Sequence, residues 1–114
     1  MYKFSSIIDD ISFEKIKNGQ KTVKFFLCDE KREGLSAKDS FSLLNQYGEK
    51  ITVVAQNINV SCNLETLIKT FPLNNLGESD YKSAYSNIKK WFSDEDIAKY
   101  KIMAVTMEVS DEQN

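Results

Sequence analysis

The helix-forming patterns of this sequence are concentrated in one stretch, residues 63–100, which lies between strand-forming stretches at 51–60 and 102–109. Within residues 63–100 apolar residues recur at helical spacing, as at Leu64 and Leu67, whereas the two flanking stretches alternate between apolar and polar residues. Helices gathered in one insertion indicate an α+β fold rather than a regular alternation of strands and helices. We therefore predict a small, twisted, mostly antiparallel barrel with helices inserted between its last two strands.

Three further strands are predicted at residues 2–8, 21–28 and 41–44, and a short helix ends at Gly19, where a left-handed residue is expected. In the longest strand the apolar residues change phase near Gln56 or Asn57. Such a change predicts a β-bulge, which is typical of a barrel that bends on itself.

The chain has 114 residues, enough for one domain of ordinary size, and no linker or repeat divides it. We expect one domain at 1–109 and a frayed polar tail at 110–114. No stretch resembles a signal peptide or approaches the ~20 apolar residues of a membrane span. Cys28 and Cys62 have no metal-ligand spacing and are expected to be reduced and mostly buried, which predicts a cytoplasmic protein.

The composition excludes several kinds of site. The sequence contains no histidine, which excludes His-based acid–base chemistry, Ser-His-Asp and Cys-His nucleophiles, and most zinc sites. Arg32 is the single arginine, so an arginine cluster for phosphate or guanine recognition is excluded as well. We expect neither a metal nor a cofactor.

Positive charge is concentrated in residues 13–32, which hold six cations and three anions in a chain of net charge −2. A local positive field of this kind attracts phosphate groups. Lys21 and Lys24 are the stronger candidates because they lie in an apolar strand, although both could simply extend their ammonium groups to water.

Alternation along strand 21–28 divides its residues between two faces. Both faces are largely apolar beyond Lys24, which predicts a central strand. On one of these two faces, the Phe26 ring could stack against a nucleic-acid base or could pack beneath the inserted helices. The predicted faces are Lys21, Val23, Phe25 and Leu27 on one side and Thr22, Lys24, Phe26 and Cys28 on the other.

A second aromatic pattern lies at helical spacing near the end of the inserted region. Tyr81, Tyr85 and Trp91 recur on one helix stripe. Such stripes are usually core, so we predict that all three aromatic side chains are buried.

Several segments in order resemble the ASCH domains of the PUA-like superfamily. Residues 13–23 read F-E-K-I-K-N-G-Q-K-T-V, similar to the family's F-x-x-I-x-x-G-x-K-T-I, and 29–32 supply its D-E-K-R-like segment. Residues 63–67 and 91–102 resemble two later motifs. The family's usual glycine before the last strand is Lys101 here. This resemblance implies a PUA-like β-barrel with a cleft beside the motif strand.

The resemblance also implies RNA or nucleotide binding. A Glu and an Arg of the family pattern are Lys24 and Phe26 in this chain, so the pocket is expected to prefer anionic, stackable ligands unless the fold serves another purpose. The expected partner is RNA or a nucleotide, with no membrane and no metal. The candidate nucleic-acid-binding residues are Lys21, Thr22, Lys24, Phe26, Lys31 and Arg32.

Two alternatives remain open. One branch of the family resembles this chain in size and hydrolyses the amide of acetylated cytidine with a Lys, a Thr and a Glu. Lys21 matches the first, whereas Lys24 and a residue near Asn75 stand at the other two positions. In this interpretation Lys21 is the catalytic residue, activating water or polarising the carbonyl. The other alternative is a protein-interaction module without a small ligand.

Overall fold

The inserted helices lie where the sequence predicts them. The structure is a computed structural model that describes residues 5–110. All helices after the first lie between the last two strands. The strands are β1 Ser5–Ile7, β2 Val23–Leu27, β3 Ser40–Leu44, β4 Lys50–Ser61 and β5 Ile102–Val109; the helices are α1 Asp10–Lys17, α2 Leu64–Lys69, α3 Leu73–Leu76, α4 Tyr81–Lys89 and α5 Asp94–Tyr100.

The five strands form one curled sheet in the order β1-β3-β4-β5-β2. β1 pairs with β3 in parallel, and all other pairs are antiparallel. The register of β4 on β5 shifts between Ala55 and Asn57, which confirms the predicted bulge. The sheet is a half-barrel with β1 and β2 as its two edges, and the α+β fold class is confirmed.

The prediction that residues 21–28 form a central strand is wrong. β2 is an edge strand, paired on one side with β5. Both of its faces are nevertheless covered, because Phe26 packs inside the curled sheet and Phe25 packs beneath the helices. An apolar strand can therefore be an edge strand when two separate layers cover it.

Two apolar clusters hold these layers together. The first fills the inside of the curled sheet, and the second lies between β2, β5 and the helices. The largest fully buried side chains of the first are Phe13, Ile16, Leu43, Val53, Met103 and Val105, and those of the second are Val23, Ile68, Leu76 and Ile102.

The helix ends follow local chemistry. The Asn63 side chain caps α2 by accepting a hydrogen bond from the Thr66 N–H at 3.0 Å. α2 ends at Lys69, and α3 begins directly after Pro72, because proline fits the entry to a helix where its missing N–H is not needed. Gly77 ends α3 with φ +70°. Gly19 has φ +82°, as its position after α1 predicts.

Lys101 adopts a backbone conformation that favours glycine, with φ +69° and ψ 167°. It is also the position at which the resembled family usually has glycine. A side chain at this backbone conformation strains residue Lys101.

Some predictions fall outside the described residues. These are the predictions for the first residues of strand 2–8 and for the tail beyond Ser110. Ser110 itself is described, and its N–H donates to the Thr52 carbonyl at 2.9 Å. Cys28 is half-buried and Cys62 is exposed, both as free thiols, so the prediction that both are mostly buried is wrong for Cys62. Within residues 5–110 no helix is long and apolar enough to cross a membrane.

Candidate anion-binding cleft

A cleft opens where the two edges of the half-barrel approach each other. It consists of two adjoining cavities of ≈ 200 and ≈ 350 Å³. The smaller cavity lies between β1 and β2, and the larger one lies between β2, α1 and the C-terminal end of α4. The residues that line both cavities are Asp9, Lys24, Phe25, Trp91 and Phe92.

The wall of the smaller cavity contains Phe26 and Arg32. Phe26 is only 5% exposed and packs edge-on against Phe41, with ring centroids 6.0 Å apart. The Arg32 guanidinium lies 5.2 Å from the Phe26 ring centroid and forms a salt bridge with Asp29 at 2.9 Å. Phe26 therefore belongs to the barrel core, and Arg32 covers the ring face that a base would need.

The larger cavity brings Lys21 and Lys24 together. The sequence places them on opposite strand faces, but β2 begins only at Val23, so Lys21 does not follow the strand alternation. Lys21 is 9% exposed, and Lys24 is half-buried. Among residues 5–110, neither ammonium group has a hydrogen-bond acceptor or a salt-bridge partner.

Burial changes the protonation of both lysines. Burial lowers the pKa of Lys21 from its ordinary value, while the carboxylates of Asp9 and Glu78 partly oppose the change. Burial, together with the positive charge of Lys21, lowers the pKa of Lys24 to about 8. A bound anion would stabilise both ammonium groups and raise the pKa of each.

Two other groups shape the larger cavity. The Asp9 side chain caps α1 by accepting from the Ser12 N–H at 2.9 Å. Its burial tends to raise its pKa, but the hydrogen bonds from Ser12 and the charge of Lys24 outweigh this effect, so the pKa is lowered. Lys15 Nζ donates to the Gly77 carbonyl at 2.8 Å, which fixes the turn that carries Glu78.

The rim of the cleft is apolar. Trp91 is 59% exposed and lines both cavities, so the prediction that it is buried is wrong, whereas Tyr81 and Tyr85 are partly buried against the second cluster. Ile7 and Ile11 are also exposed at this rim. The Lys90 ammonium lies 5.8 Å from the Trp91 ring centroid.

The cleft contains four of the six candidate residues: Lys21, Lys24, Phe26 and Arg32. Thr22 lines a separate groove beside α1 and β5, and its N–H donates to the Asn75 carbonyl at 2.9 Å. Lys31 is exposed on the turn after β2 and lines neither cavity.

Sequence reasoning missed Asp9, Glu78 and Trp91 as cleft residues. Of these three residues, only Trp91 had a usable signal in the sequence, because it directly follows a pair of lysines at the end of a helix. Over residues 5–110 no group of three His, Cys, Asp or Glu side chains could hold a metal ion.

The sequence matches no family model and no curated protein. The structure is similar to that of hypothetical protein PH0355, with a TM-score of 0.79 and 20% identity over 95% of this chain and 99% of that one. It is also similar to that of protein PF0455 from Pyrococcus furiosus, with a TM-score of 0.70 and 19% identity over 96% of this chain and 98% of that one. An ASCH domain from Lactobacillus crispatus matches the structure with a TM-score of 0.61 and 13% identity, over 92% of this chain and 79% of that one. In fold, this chain is an ASCH-like domain.

Proposed function

We propose that the chain binds RNA or a nucleotide in the cytoplasm, through the cleft between β1, β2 and the end of α4. One observation carries the proposal: Lys21 and Lys24 line the same cavity, and within residues 5–110 neither ammonium group has a hydrogen-bond acceptor or a salt-bridge partner. Buried cations without partners are costly unless a ligand supplies the missing charge. A phosphate group supplies it with several acceptor oxygens.

The exposed indole of Trp91 supports the nucleotide part of the proposal. Trp91 lines both cavities beside Lys24, so a phosphate at the lysines leaves the attached base within the same cleft. Stacking on an aromatic ring is tolerant of base identity. Trp91 thus takes the role that the sequence suggested for Phe26.

The test is fluorescence anisotropy with a short single-stranded RNA and with a labelled adenine nucleotide, each at low and at physiological salt. The cleft variant is Lys21→Ala with Lys24→Ala. The matched control is Lys69→Ala with Lys82→Ala, which removes the same charge from exposed helical positions that line neither cavity. Circular dichroism establishes that each variant is folded.

We expect salt-sensitive binding by the parent and the control, and a loss of about tenfold or more in the cleft variant. Equal loss in both variants would show only nonspecific attraction to lysines and would contradict the proposal. Absence of binding by the parent at either salt would favour the interaction module instead.

A second candidate function is amide hydrolysis. The resembled branch uses a Thr and a Glu as well as the matched Lys; Lys24 stands at the position of the Thr, and Asn75 stands near that of the Glu. Glu78 nevertheless lines the same cavity as Lys21 and acts on its charge. Burial lowers the pKa of Lys21, as a lysine base requires.

Release of acetate from acetylated cytidine tests this second function. The expected result is turnover that Lys21→Met and Glu78→Gln each abolish while the Lys69→Ala control retains it. No turnover by the parent, under conditions in which an active relative works, removes this candidate.

A further inference from the structure

We propose that Lys24 is a nucleophilic amine that forms a reversible imine with a small carbonyl compound, an aldehyde or 2-oxo acid, whose anionic group is held by Lys21. This inference goes beyond the binding and the amide hydrolysis proposed above, both of which depend on Lys21. It assigns covalent chemistry to the second lysine of the pair.

The position of Lys24 is the first argument. It borders both cavities, so a small molecule in either one can reach its side chain. Within the described residues no hydrogen bond or salt bridge holds its amine away from such a molecule. The larger cavity, ≈ 350 Å³, suits a ligand of a few heavy atoms together with water.

The charges around Lys24 are the second argument. A lysine amine attacks a carbonyl only in its neutral form, and a neighbouring cation in a desolvated site favours that form. Burial and the charge of Lys21 lower the pKa of Lys24 to about 8, against an ordinary value of 10.5, and Asp9 opposes the shift. At pH 7 about a tenth of Lys24 is then neutral, compared with about 0.03% of an ordinary lysine. The other charged groups that line the two cavities are Lys15, Arg32, Glu78 and Lys90.

The reaction needs no further reagent. The Nζ lone pair attacks the carbonyl carbon, a C–N bond forms, and one proton passes from Nζ to the carbonyl oxygen to give a carbinolamine. The C–O bond then breaks as the hydroxyl takes up a second proton and leaves as water. Nζ loses this second proton, which yields the imine without any oxidation or reduction. The ionised carboxylate of Asp9, which already acts on the charge of Lys24, stabilises the imine in its protonated form.

Trapping with cyanoborohydride tests the proposal, since the reductant fixes an imine that has already formed. The parent is incubated at pH 7 with limiting glyoxylate, or with acetaldehyde as a probe of similar size that lacks the carboxylate. Peptide mass spectrometry then measures the labelling rate of Lys24, and the rates of the other lysines serve as internal controls. Lys24→Arg keeps the charge but cannot form the adduct, and Lys21→Met removes the proposed anion partner.

We expect glyoxylate to label Lys24 about tenfold or more faster than exposed Lys69 and Lys82. Lys21→Met should lower the rate at which both probes label Lys24. The rate with glyoxylate should fall about fivefold more than the rate with acetaldehyde. Labelling spread over the lysines according to exposure overturns the proposal. Equal effects of Lys21→Met on the two probes overturn the role of Lys21. These outcomes are independent of RNA binding, which is measured without either probe.

Discussion

The Nζ of Lys15 on α1 donates a hydrogen bond to the Gly77 carbonyl at 2.8 Å, across 62 residues of sequence. A Cβ atom added at Gly77 would lie 3.2 Å from Cδ of Lys15 and 3.4 Å from Cβ of Lys21. The turn after α3 therefore packs directly on two of the lysines that line the larger cavity.

Replacing Gly77 should consequently affect both stability and binding. We expect Gly77→Ala to lower the free energy of unfolding by about 1–2 kcal/mol, because φ is +70°, and to displace the Lys15 side chain, whose Cδ would lie 3.2 Å from the added Cβ. Gly48→Ala is the matched control, since Gly48 has φ +84° and nothing within 4 Å of the added Cβ. Urea denaturation should show similar losses in both, with nucleotide binding weakened only in Gly77→Ala. Unchanged binding in Gly77→Ala would contradict the inferred contact.

Lys24 should make the stability depend on pH. Its pKa of about 8 in the folded protein lies below the ordinary 10.5, so between these values the unfolded chain binds more protons. The free energy of unfolding contributed by Lys24 therefore rises as the pH increases from about 8 to 10.5. Lys24→Met should be more stable than the parent at pH 7, by about 1–3 kcal/mol.

Urea denaturation of both proteins between pH 7 and 10 measures this effect. The advantage of Lys24→Met should shrink as the pH rises. Burial also raises the pKa of the Cys28 thiol, but that contribution is common to both proteins and cancels in the difference. A difference that stays constant with pH would show that Lys24 titrates normally.

Asp9 has two roles that different substitutions separate. Asp9→Ala removes the cap of α1 and should cost about 1 kcal/mol of stability. Asp9→Asn keeps a capping side chain but removes the carboxylate that raises the pKa of Lys24, so that pKa should move below 8. Site-resolved NMR titration of the lysine side chains measures the shift. An upward shift would contradict the inferred attraction between Asp9 and Lys24.

Trp91 is the single tryptophan of the chain, so its fluorescence reports on the cleft alone. Binding of a nucleotide should quench the emission or move it to shorter wavelength as the 59% exposed ring is covered. Trp91→Ala should weaken RNA binding by about 1–3 kcal/mol in the anisotropy assay. Tyr47→Ala, an exposed aromatic on the β3–β4 turn, serves as the control and should bind like the parent.

Lys101 offers a stabilising substitution. Lys101→Gly should raise the free energy of unfolding by about 1 kcal/mol, because glycine adopts φ +69° and ψ 167° without strain. Lys99→Gly, inside α5, should lower it by about the same amount. Thermal melts of the two variants should therefore shift in opposite directions.

Local chemistry made much of the fold predictable. The left-handed Gly19 and the bulge after Ala55 each depend on neighbouring residues, and both agree with the structure. The position of β2 in the sheet could not be read in this way. Its two apolar faces are covered by layers that distant parts of the chain supply.

The candidate site was predictable only in part, for the same reason. Lys21 and Lys24 stand out locally as lysines in an apolar strand, and both line the cleft. Trp91 was assigned to the core because helical spacing was extended past Lys89, where α4 ends. Glu78 reaches the cleft through the turn at Gly77, a contact with α1 that no local pattern indicates.

The pairing of β2 with β5 has a consequence for how the protein is made. Lys24 pairs with Val105, so the strand that carries it joins the sheet through a partner from the far end of the described chain. Contacts of such high sequence separation form late and slowly. While the chain emerges from the ribosome, β3 and β4 can pair early, but β2 must wait for β5. The lysine cleft is then among the last features of this fold to assemble, and binding activity should appear only after β5 has been synthesised.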